Sequence, residues 1–523
     1  MDGSTMQTFL AMCGDMACVV AIGLYFARRA NQSTENYFLG GRSLGPWIAA
    51  MSAEASDMSG WLLMGLPGVA YWCGLADAAW TAIGLAVGTY INWLIVARRL
   101  RSYSVVADDA ITIPEFFSAR FKEKKKVLLT ISALFILVFF TVYAASCLVT
   151  CGKLFSTLFG FSYRSMMIAG ALFVIFYTVI GGFLAESASD FMQSIVMIFA
   201  LVVALGTATS AAGGASAVLE NIRSIPGFLD FFGIAQPVTA DGVQTVVNNA
   251  PQFGEAASYP VIKIASALAW GLGYFGVPQV LLRFMAIRRT SELKQSRRIA
   301  TVWCVISLAC GVTIGLVGRA LFPTALLTSS DAENIFVILS QNLLPPLAAG
   351  IVMAGILAAT ISSSDSYLLI AASAFAKNIY QGVWKKDASD KHVLWVSRIM
   401  LLAISAVGIV IALDENSVIF SLVAFAWAGF GATFGPIMLA SLFWKRTTWK
   451  GAVAGMVSGA VMVFVWKNLI SPLGGLFGIY ELLPAFLVSL VVIVVVSLLD
   501  KEPSAEIQEA FELAKKGARE AAN

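Results

Sequence analysis

Two carboxylates, Glu54 and Asp57, stand among Ser52, Ser56, Ser59 and Gly60 inside an otherwise apolar stretch, residues 44–72. Removing a carboxylate from water is costly, so one in such a stretch normally lines a cavity or an ion path. A second polar cluster, Ser362-Ser363-Ser364-Asp365-Ser366, interrupts the otherwise charge-free residues 334–376. Ser362, Asp365 and Ser366 have i, i+3, i+4 spacing and share one helix face. Hydroxyl, carboxylate and carbonyl oxygens are what a hard alkali cation takes in place of water. A lone serine that bonds its own i−4 carbonyl is the bland reading, and it does not account for four serines around one aspartate. Glu186 and Asp190, one turn apart near the start of another apolar run, are placed to guard a path out of the interior.

The elements that must hold these groups are membrane helices. The chain is 59% hydrophobic and 13% charged, against about 25% charged in ordinary soluble domains. Its charges are gathered into short clusters, with none between Lys126 and Lys153, Arg298 and Arg319, or Glu415 and Lys445. Uncharged runs of roughly 18 residues or more read as spanning helices. Thirteen are expected, near 7–27, 44–72, 76–97, 125–152, 163–182, 185–212, 258–284, 298–322, 346–378, 391–413, 417–443, 450–469 and 480–499. The first has no basic segment before it and no small-residue cleavage site after it, so it reads as a retained helix. Arg28–Arg29, Arg98–Arg101, Lys122–Lys126, Arg283–Arg298, Lys377–Lys391 and Lys445–Lys450 would then share one side. The positive-inside rule makes that side cytoplasmic, with the N-terminus outside and the C-terminus inside.

Basic residues confined to membrane loops do not point to nucleic acid. The seven cysteines lie in or beside apolar segments without metal-ligand spacing, and read as small packing residues. The residues after Asp500 alternate charges with Ile507, Phe511 and Leu513, which suggests a solvated amphipathic tail with Ser504 as a helix cap. That segment leaves no room for a soluble catalytic domain, so enzymatic activity is not expected.

Two spans are interrupted. Residues 52–61 carry the Glu54–Asp57 cluster, and Trp270-Gly271-Leu272-Gly273-Tyr274-Phe275-Gly276-Val277-Pro278 holds three glycines and a proline. Proline removes a donor and glycine favours unwinding, so both helices should break. They are five helices apart, the spacing at which inverted-repeat transporters place their substrate site. Glycines that merely allow close helix packing would explain neither the carboxylates nor this order.

Phe38-Leu-Gly-Gly-Arg-Ser-Leu-Gly-Pro46 and Ala55-Ser-Asp-Met-Ser-Gly-Trp-Leu-Leu-Met-Gly-Leu-Pro67 resemble the sodium/solute symporter family, within it the bacterial branch that carries proline. Trp270-Gly-Leu-Gly-Tyr-Phe-Gly276, Arg283-Phe-Met285 and Ala426-Trp-Ala-Gly-Phe-Gly431 extend the likeness, which runs over about residues 15–505. The resemblance implies an all-α polytopic protein of the inner membrane with a LeuT-like fold. Residues 1–43 would form a leading helix and loop, 44–212 a first repeat of five helices and 213–257 an external loop. Residues 258–443 would be the second, inverted repeat, 444–500 two trailing helices, and 501–523 a cytoplasmic tail.

The resemblance also implies roles. Sodium, the co-transported ion, would be held by Ala55, Met58, Ala359, Ser362 and Ser363, with Asp57 important for it. L-proline would be held by Ser59, Gly60, Tyr143, Trp270, Tyr274 and Pro278. Arg42 and Asp190 match positions linked to coupling and the inner gate. Aromatic faces suit proline, whose ring is apolar and whose ammonium gains about 2 kcal/mol from a desolvated cation–π contact.

Some residues depart from the family pattern. Glu54 stands where a small residue is expected, which leaves room for a gating role or for proton coupling. Asp365 stands where a hydroxyl is usual, and Val277 and Gln279 flank Pro278. The added carboxylate suggests a second cation site at Asp190, Asp365, Ser362 and Ser366; a buried aspartate paired with Lys, Arg or a hydroxyl is the alternative. The implied partners are sodium, a small solute and the bilayer, with no obligatory protein partner. Other readings are sodium-driven uptake of another small amino or organic acid, a symporter-like membrane sensor, and a passive channel.

Overall fold

Uncharged runs inside a bilayer must close their own backbone hydrogen bonds, and the computed structural model, which describes residues 3–520, is helical almost throughout. Among the described residues ten helices are long and apolar enough to cross a membrane, or eleven with one bent pair. α1 (Gly3–Ala30) is followed by a short helix, α2 (Thr34–Leu39), capped by Ser33. The first polar cluster sits where α3 (Pro46–Asp57) gives way to α4 (Trp61–Cys73). α5 (Leu75–Val106), a short α6 (Ile113–Arg120) and α7 (Val127–Phe159) come next. α8 (Tyr163–Val179) and α9 (Gly182–Ala211) meet at Gly182, whose φ of 62° and ψ of −180° end the helical path.

After a short α10 (Ala215–Arg223), residues 224–260 form a lobe of three two-stranded antiparallel sheets. The second half opens with α11 (Val261–Phe275), whose last seven residues tighten to 3-10 geometry, and α12 (Pro278–Ala286), bent 42° from it. α13 (Thr290–Leu321), two short helices α14 (Ser329–Ala332) and α15 (Ile335–Leu343), and α16 (Pro346–Trp384) follow. α17 (Asp390–Ile411), α18 (Ile419–Phe443), α19 (Trp449–Leu473) and α20 (Leu482–Leu499) complete the bundle. α16 is almost wholly buried and packs along α9, α7 and α1, while α3 is sandwiched between α9, α12, α13 and α16. The two helices that carry the polar clusters are therefore the central ones.

Three features differ from what the residues alone suggest. The short helices α2, α6, α10, α14 and α15 lie in stretches read as loops, because they are too short to show a periodic apolar stripe. Arg283, grouped by its position with a basic loop, is instead wholly buried in α12. The tail is not simply solvated: α21 (Ala505–Glu520) buries Phe511, Ala514 and Ala518, with Phe511 beside the rings of Tyr103 and under Arg120. An ion pair from Lys122 to Glu506 and one of 3.0 Å from Lys450 to Asp500 hold the start of this segment. The Asp500 carboxyl is accordingly pulled below the usual carboxylate range, chiefly by the hydrogen bond from Lys450.

The broken helices are held by backbone contact at glycines. A Cβ on Gly271 would lie 2.3 Å from the Gly84 carbonyl oxygen, and one on Gly276 would lie 2.4 Å from that of Phe430. Gly206 faces open space. Gly271→Val is expected to cost at least the upper part of the about 1–3 kcal/mol typical of overpacking, and Gly206→Val little. Fluorescence-detected size exclusion of the two variants measures this as loss of the monodisperse peak for Gly271→Val alone.

Candidate functional site

The first site is built from a carbonyl that loses its helical partner. In a continuous α3 the amide of Ser59 would bond the carbonyl of Ala55. Instead Ser59 N–H donates to Asp57 at 3.0 Å, and Met58, at φ −81° and ψ 73°, turns the chain out of the helix. The Ala55 carbonyl is taken up from across the bundle. Ser362 Oγ donates to it at 2.9 Å and Ser363 Oγ at 3.2 Å, and Ser362 Oγ also lies 3.2 Å from the Ala359 carbonyl. Ala55, Ala359, Ser362 and Ser363 thus come together around one point, with Met58 at the break itself. These are neutral oxygens of the type a sodium ion takes.

Asp57, the last residue of α3, points to the second broken helix. Its Oδ2 accepts from Tyr274 Oη at 2.7 Å and its Oδ1 lies 3.5 Å from Gln279 Nε2. Tyr274 is fixed in turn by Asn92, which donates to its carbonyl at 2.9 Å, and by the edge of Trp427, with ring centroids 5.0 Å apart. Glu54 is buried one turn before Asp57.

Aromatic residues roof this region. Trp270 stacks on Tyr480 at 4.9 Å, lies 6.3 Å from the Trp61 ring, and accepts a 2.8 Å bond on its carbonyl from Trp427 Nε1. Tyr143 stacks on Tyr367, from α16, at 4.2 Å. Gly60 needs its missing side chain, since a Cβ there would meet Thr150 of α7 at 2.4 Å. Ser59 is buried beside it, and Pro278 starts α12 at the bend. A cleft bounded by Asp77, Tyr259, Lys263, Ser266 and Tyr480 reaches Trp270 from the end that carries the sheet lobe.

Deeper toward the basic end, Arg283 of α12 gathers the second set. Its Nε donates to Ser52 Oγ at 3.0 Å, and Nη1 to the Gln279 carbonyl at 3.0 Å. Nη2 reaches Asp190 Oδ2 at 3.2 Å, Ser366 Oγ at 2.9 Å and the Glu186 carboxylate. Asp190 and Ser366 are therefore neighbours around one guanidinium. Asp365 faces differently: its Oδ1 accepts from the Ser366 amide at 2.8 Å. Arg42 belongs to neither cluster. It lies at the basic end, donates to the carbonyls of Met285 and Ala110 at 2.8 Å each, and pairs with Asp109 at 2.9 Å, pinning the end of α12 to the α5–α6 link.

The opposite end has its own buried pair, which reading the residues did not reveal. Lys153 Nζ donates to Glu333 Oε2 at 2.7 Å, and the same carboxylate accepts from the Ile419 and Phe420 amides at 2.9 Å each. Glu333 thereby caps α18, as an anion at a helix N-terminus should. Burial raises its carboxyl pKa while Lys153 opposes the rise. Its only signal in the chain is one lysine and one glutamate flanking long uncharged runs.

Comparison with known proteins agrees with this architecture. The model of the Sodium:solute symporter family matches residues 37–459. The chain is 41% identical over 502 residues to the sodium/proline symporter of Escherichia coli (strain K12), covering 94% of each chain. It is 42% identical to the sodium/proline symporter of Haemophilus influenzae, with 98% of each covered. It is 40% identical to the osmoregulated proline transporter OpuE of Bacillus subtilis, covering 93% of this chain and 95% of that one. Among solved structures, a substrate-bound, outward-open Na+-coupled sialic acid symporter has the same fold, with a TM-score of 0.71 at 17% identity over 95% of this chain and 99% of that one.

Because Lys153 and Glu333 are both buried, removing one leaves the other charge uncompensated, at a cost of about 3–5 kcal/mol. Lys153→Met and Glu333→Gln are each expected to lower thermal stability in detergent, and the double variant to recover part of the loss. A double variant no more stable than the worse single one would mean that the pair is not coupled.

Proposed function

The chain belongs to the sodium:solute symporter family, and from that premise we propose that it carries L-proline into the cell together with sodium, by alternating access across the cell membrane. The observation that carries this reading is the convergence of the Ser362 and Ser363 hydroxyls on the Ala55 carbonyl at the break in α3. Sodium binds there, to carbonyls of Ala55, Met58 and Ala359 and hydroxyls of Ser362 and Ser363, with Asp57 nearby as the balancing charge. The ion thereby joins α3 to α16, which in its absence are held at this point only by hydrogen bonds.

Proline sits against the second break. Its carboxylate faces the start of α4 beside Ser59 and Gly60, where a helix N-terminus favours an anion. Its ring and ammonium lie against Tyr143, Trp270 and Tyr274, with Pro278 shaping the floor. Because Tyr274 also bonds Asp57, an ion that fixes Asp57 orders the aromatic wall, and the two ligands bind with positive coupling. Sodium entry supplies the drive: about 2.3 kcal/mol per charge for each 100 mV, and about 1.4 kcal/mol for a tenfold gradient.

The same reading covers the architecture. The eleven apolar spans, the broken pair α3–α4 and the shorter α8 give thirteen crossings, with the N-terminus outside. They divide into a leading helix, two inverted five-helix repeats at 44–212 and 258–443, and two trailing helices, in a LeuT-like arrangement. Arg42, Glu54 and Asp190 serve coupling and the inner gate.

The test is uptake of radiolabelled L-proline into proteoliposomes with and without an inward sodium gradient. Accumulation is expected only with the gradient. Asp57→Ala is expected to abolish it, and Ser362→Ala to raise the sodium concentration for half-maximal uptake about tenfold or more, the loss of one charge-assisted ligand. Sodium-independent proline uptake, or none by a folded protein, would overturn the assignment.

A further inference from the structure

Two stacked aromatic rings fix each other's planes, since each closes one face of its partner. Trp270, whose indole roofs the solute region, has such a partner from outside the two proposed repeats. Tyr480, two residues before α20, stacks on it with ring centroids 4.9 Å apart and planes 21° apart. We infer that Tyr480 is the positioning residue that sets the plane of Trp270, so that the link between the two trailing helices helps to choose which ring the carrier accepts. This rests on the proline-symport reading above.

Tyr480 is itself clamped at both ends. Its hydroxyl donates to the Ala424 carbonyl of α18 at 2.6 Å, and its amide donates to Ser266 Oγ of α11 at 2.7 Å. The link that carries it is tied down as well. Trp466 Nε1 donates to the Ile479 carbonyl at 3.2 Å, and Lys467 Nζ lies 3.8 Å from the Glu481 carboxylate and 4.5 Å from the centre of the Phe425 ring. α20, which follows, packs on α18 and on the 3-10 end of α11. The tyrosine ring therefore has an orientation fixed independently of Trp270, and can impose it.

Trp270 depends on that support. Its other ring neighbours, Phe420, Trp61 and Trp427, lie at 5.1, 6.3 and 6.4 Å and are tilted by 41°, 36° and 26°. Among the described residues the ring nearest to the indole, and most nearly parallel to it, is that of Tyr480. Both residues line the cleft of about 240 Å³ that opens toward the sheet lobe. Tyr274, with its bond to Asp57, stands one turn further along α11. A solute that enters by this cleft meets the Trp270–Tyr480 pair before it reaches the break. Without Tyr480 the indole has room to tilt toward the cleft, and the wall no longer fits one ring size.

The experiment compares ring sizes. Uptake of L-proline and of L-pipecolate, its six-membered homologue, into proteoliposomes under a sodium gradient gives KM and maximal rate for the wild type, Tyr480→Phe and Tyr480→Ala. The wild type is expected to prefer proline by about tenfold or more, the effect of one methylene against a fitted apolar wall. Tyr480→Ala is expected to raise the proline KM about tenfold, the upper end for a stacked pair, with a smaller change in maximal rate and with the preference over pipecolate lost. Tyr480→Phe keeps the ring and loses one hydrogen bond, so its KM is expected to stay within about threefold of wild type and its preference to be retained. Sodium binding to purified Tyr480→Ala without proline is expected to match the wild type, since the Ser362 and Ser363 hydroxyls bond the Ala55 carbonyl and not Tyr480. Where Tyr480→Ala does not fold, Tyr480→Leu, which fills space without a flat face, is expected to show the same changes. A wild type that takes both rings equally, a folded Tyr480→Ala or Tyr480→Leu with wild-type KM and preference, or an accompanying loss of sodium binding would overturn the inference. A wild type that takes up neither compound with sodium would instead fell the symport reading on which it rests.

Discussion

A backbone carbonyl without its helical partner inside a membrane must find another donor or bind a cation. The Ala55 carbonyl is in that position because the Ser59 amide turns to Asp57, and much of the central architecture follows from satisfying it. α16 has to pass close enough for Ser362 and Ser363 to reach across. It is accordingly the most enclosed of the long helices, flanked by α1, α7 and α9. Hydroxyl and carbonyl oxygens are also what an alkali cation takes, so under the proposed sodium site structural repair and ion binding would use the same atoms.

The second constraint is the short α12. Proline at its start and a tight 3-10 turn before it place Gln279 and Arg283 on one face. Gln279 looks to Asp57 beside the first break, and Arg283 looks to the carboxylates of α9. A movement of α12 therefore changes both sets together. Buried ion pairs contribute little net stability but penalise any state in which one partner is left alone. Such pairs stand at both ends of the bundle, Arg283 with Glu186 and Asp190 at one and Lys153 with Glu333 at the other.

Much of this was legible from residue types. Charge-free runs marked the spans, and serines, carboxylates, glycines and proline marked the two breaks, because such residues are too costly in a membrane to be incidental. The Ser362 and Ser363 hydroxyls reach the Ala55 carbonyl, and Asp57 meets Tyr274 just before the bend at Pro278. Arg283 was not legible. Near the end of an apolar run and before a string of basic residues, it reads as the first residue of a loop. The docked face of α21 was equally hidden, since alternation of charge with Phe511 and Leu513 describes a free tail as well as one that rests on Tyr103 and Arg120.

The sequence by itself determined what each helix is: where it spans, where it breaks and which polar atoms it exposes at the break. Those properties depend on neighbours within a few residues, through hydrogen-bond ladders and the cost of burying charge. Only the tertiary structure decided which polar atoms meet. Arg283 and its carboxylate partners are more than ninety residues apart in the chain, and nothing in local spacing orients one helix toward another. That choice was made by close backbone contact at glycines such as Gly271 and Gly276, which set the approach of the helices and hence the partner each buried charge could reach.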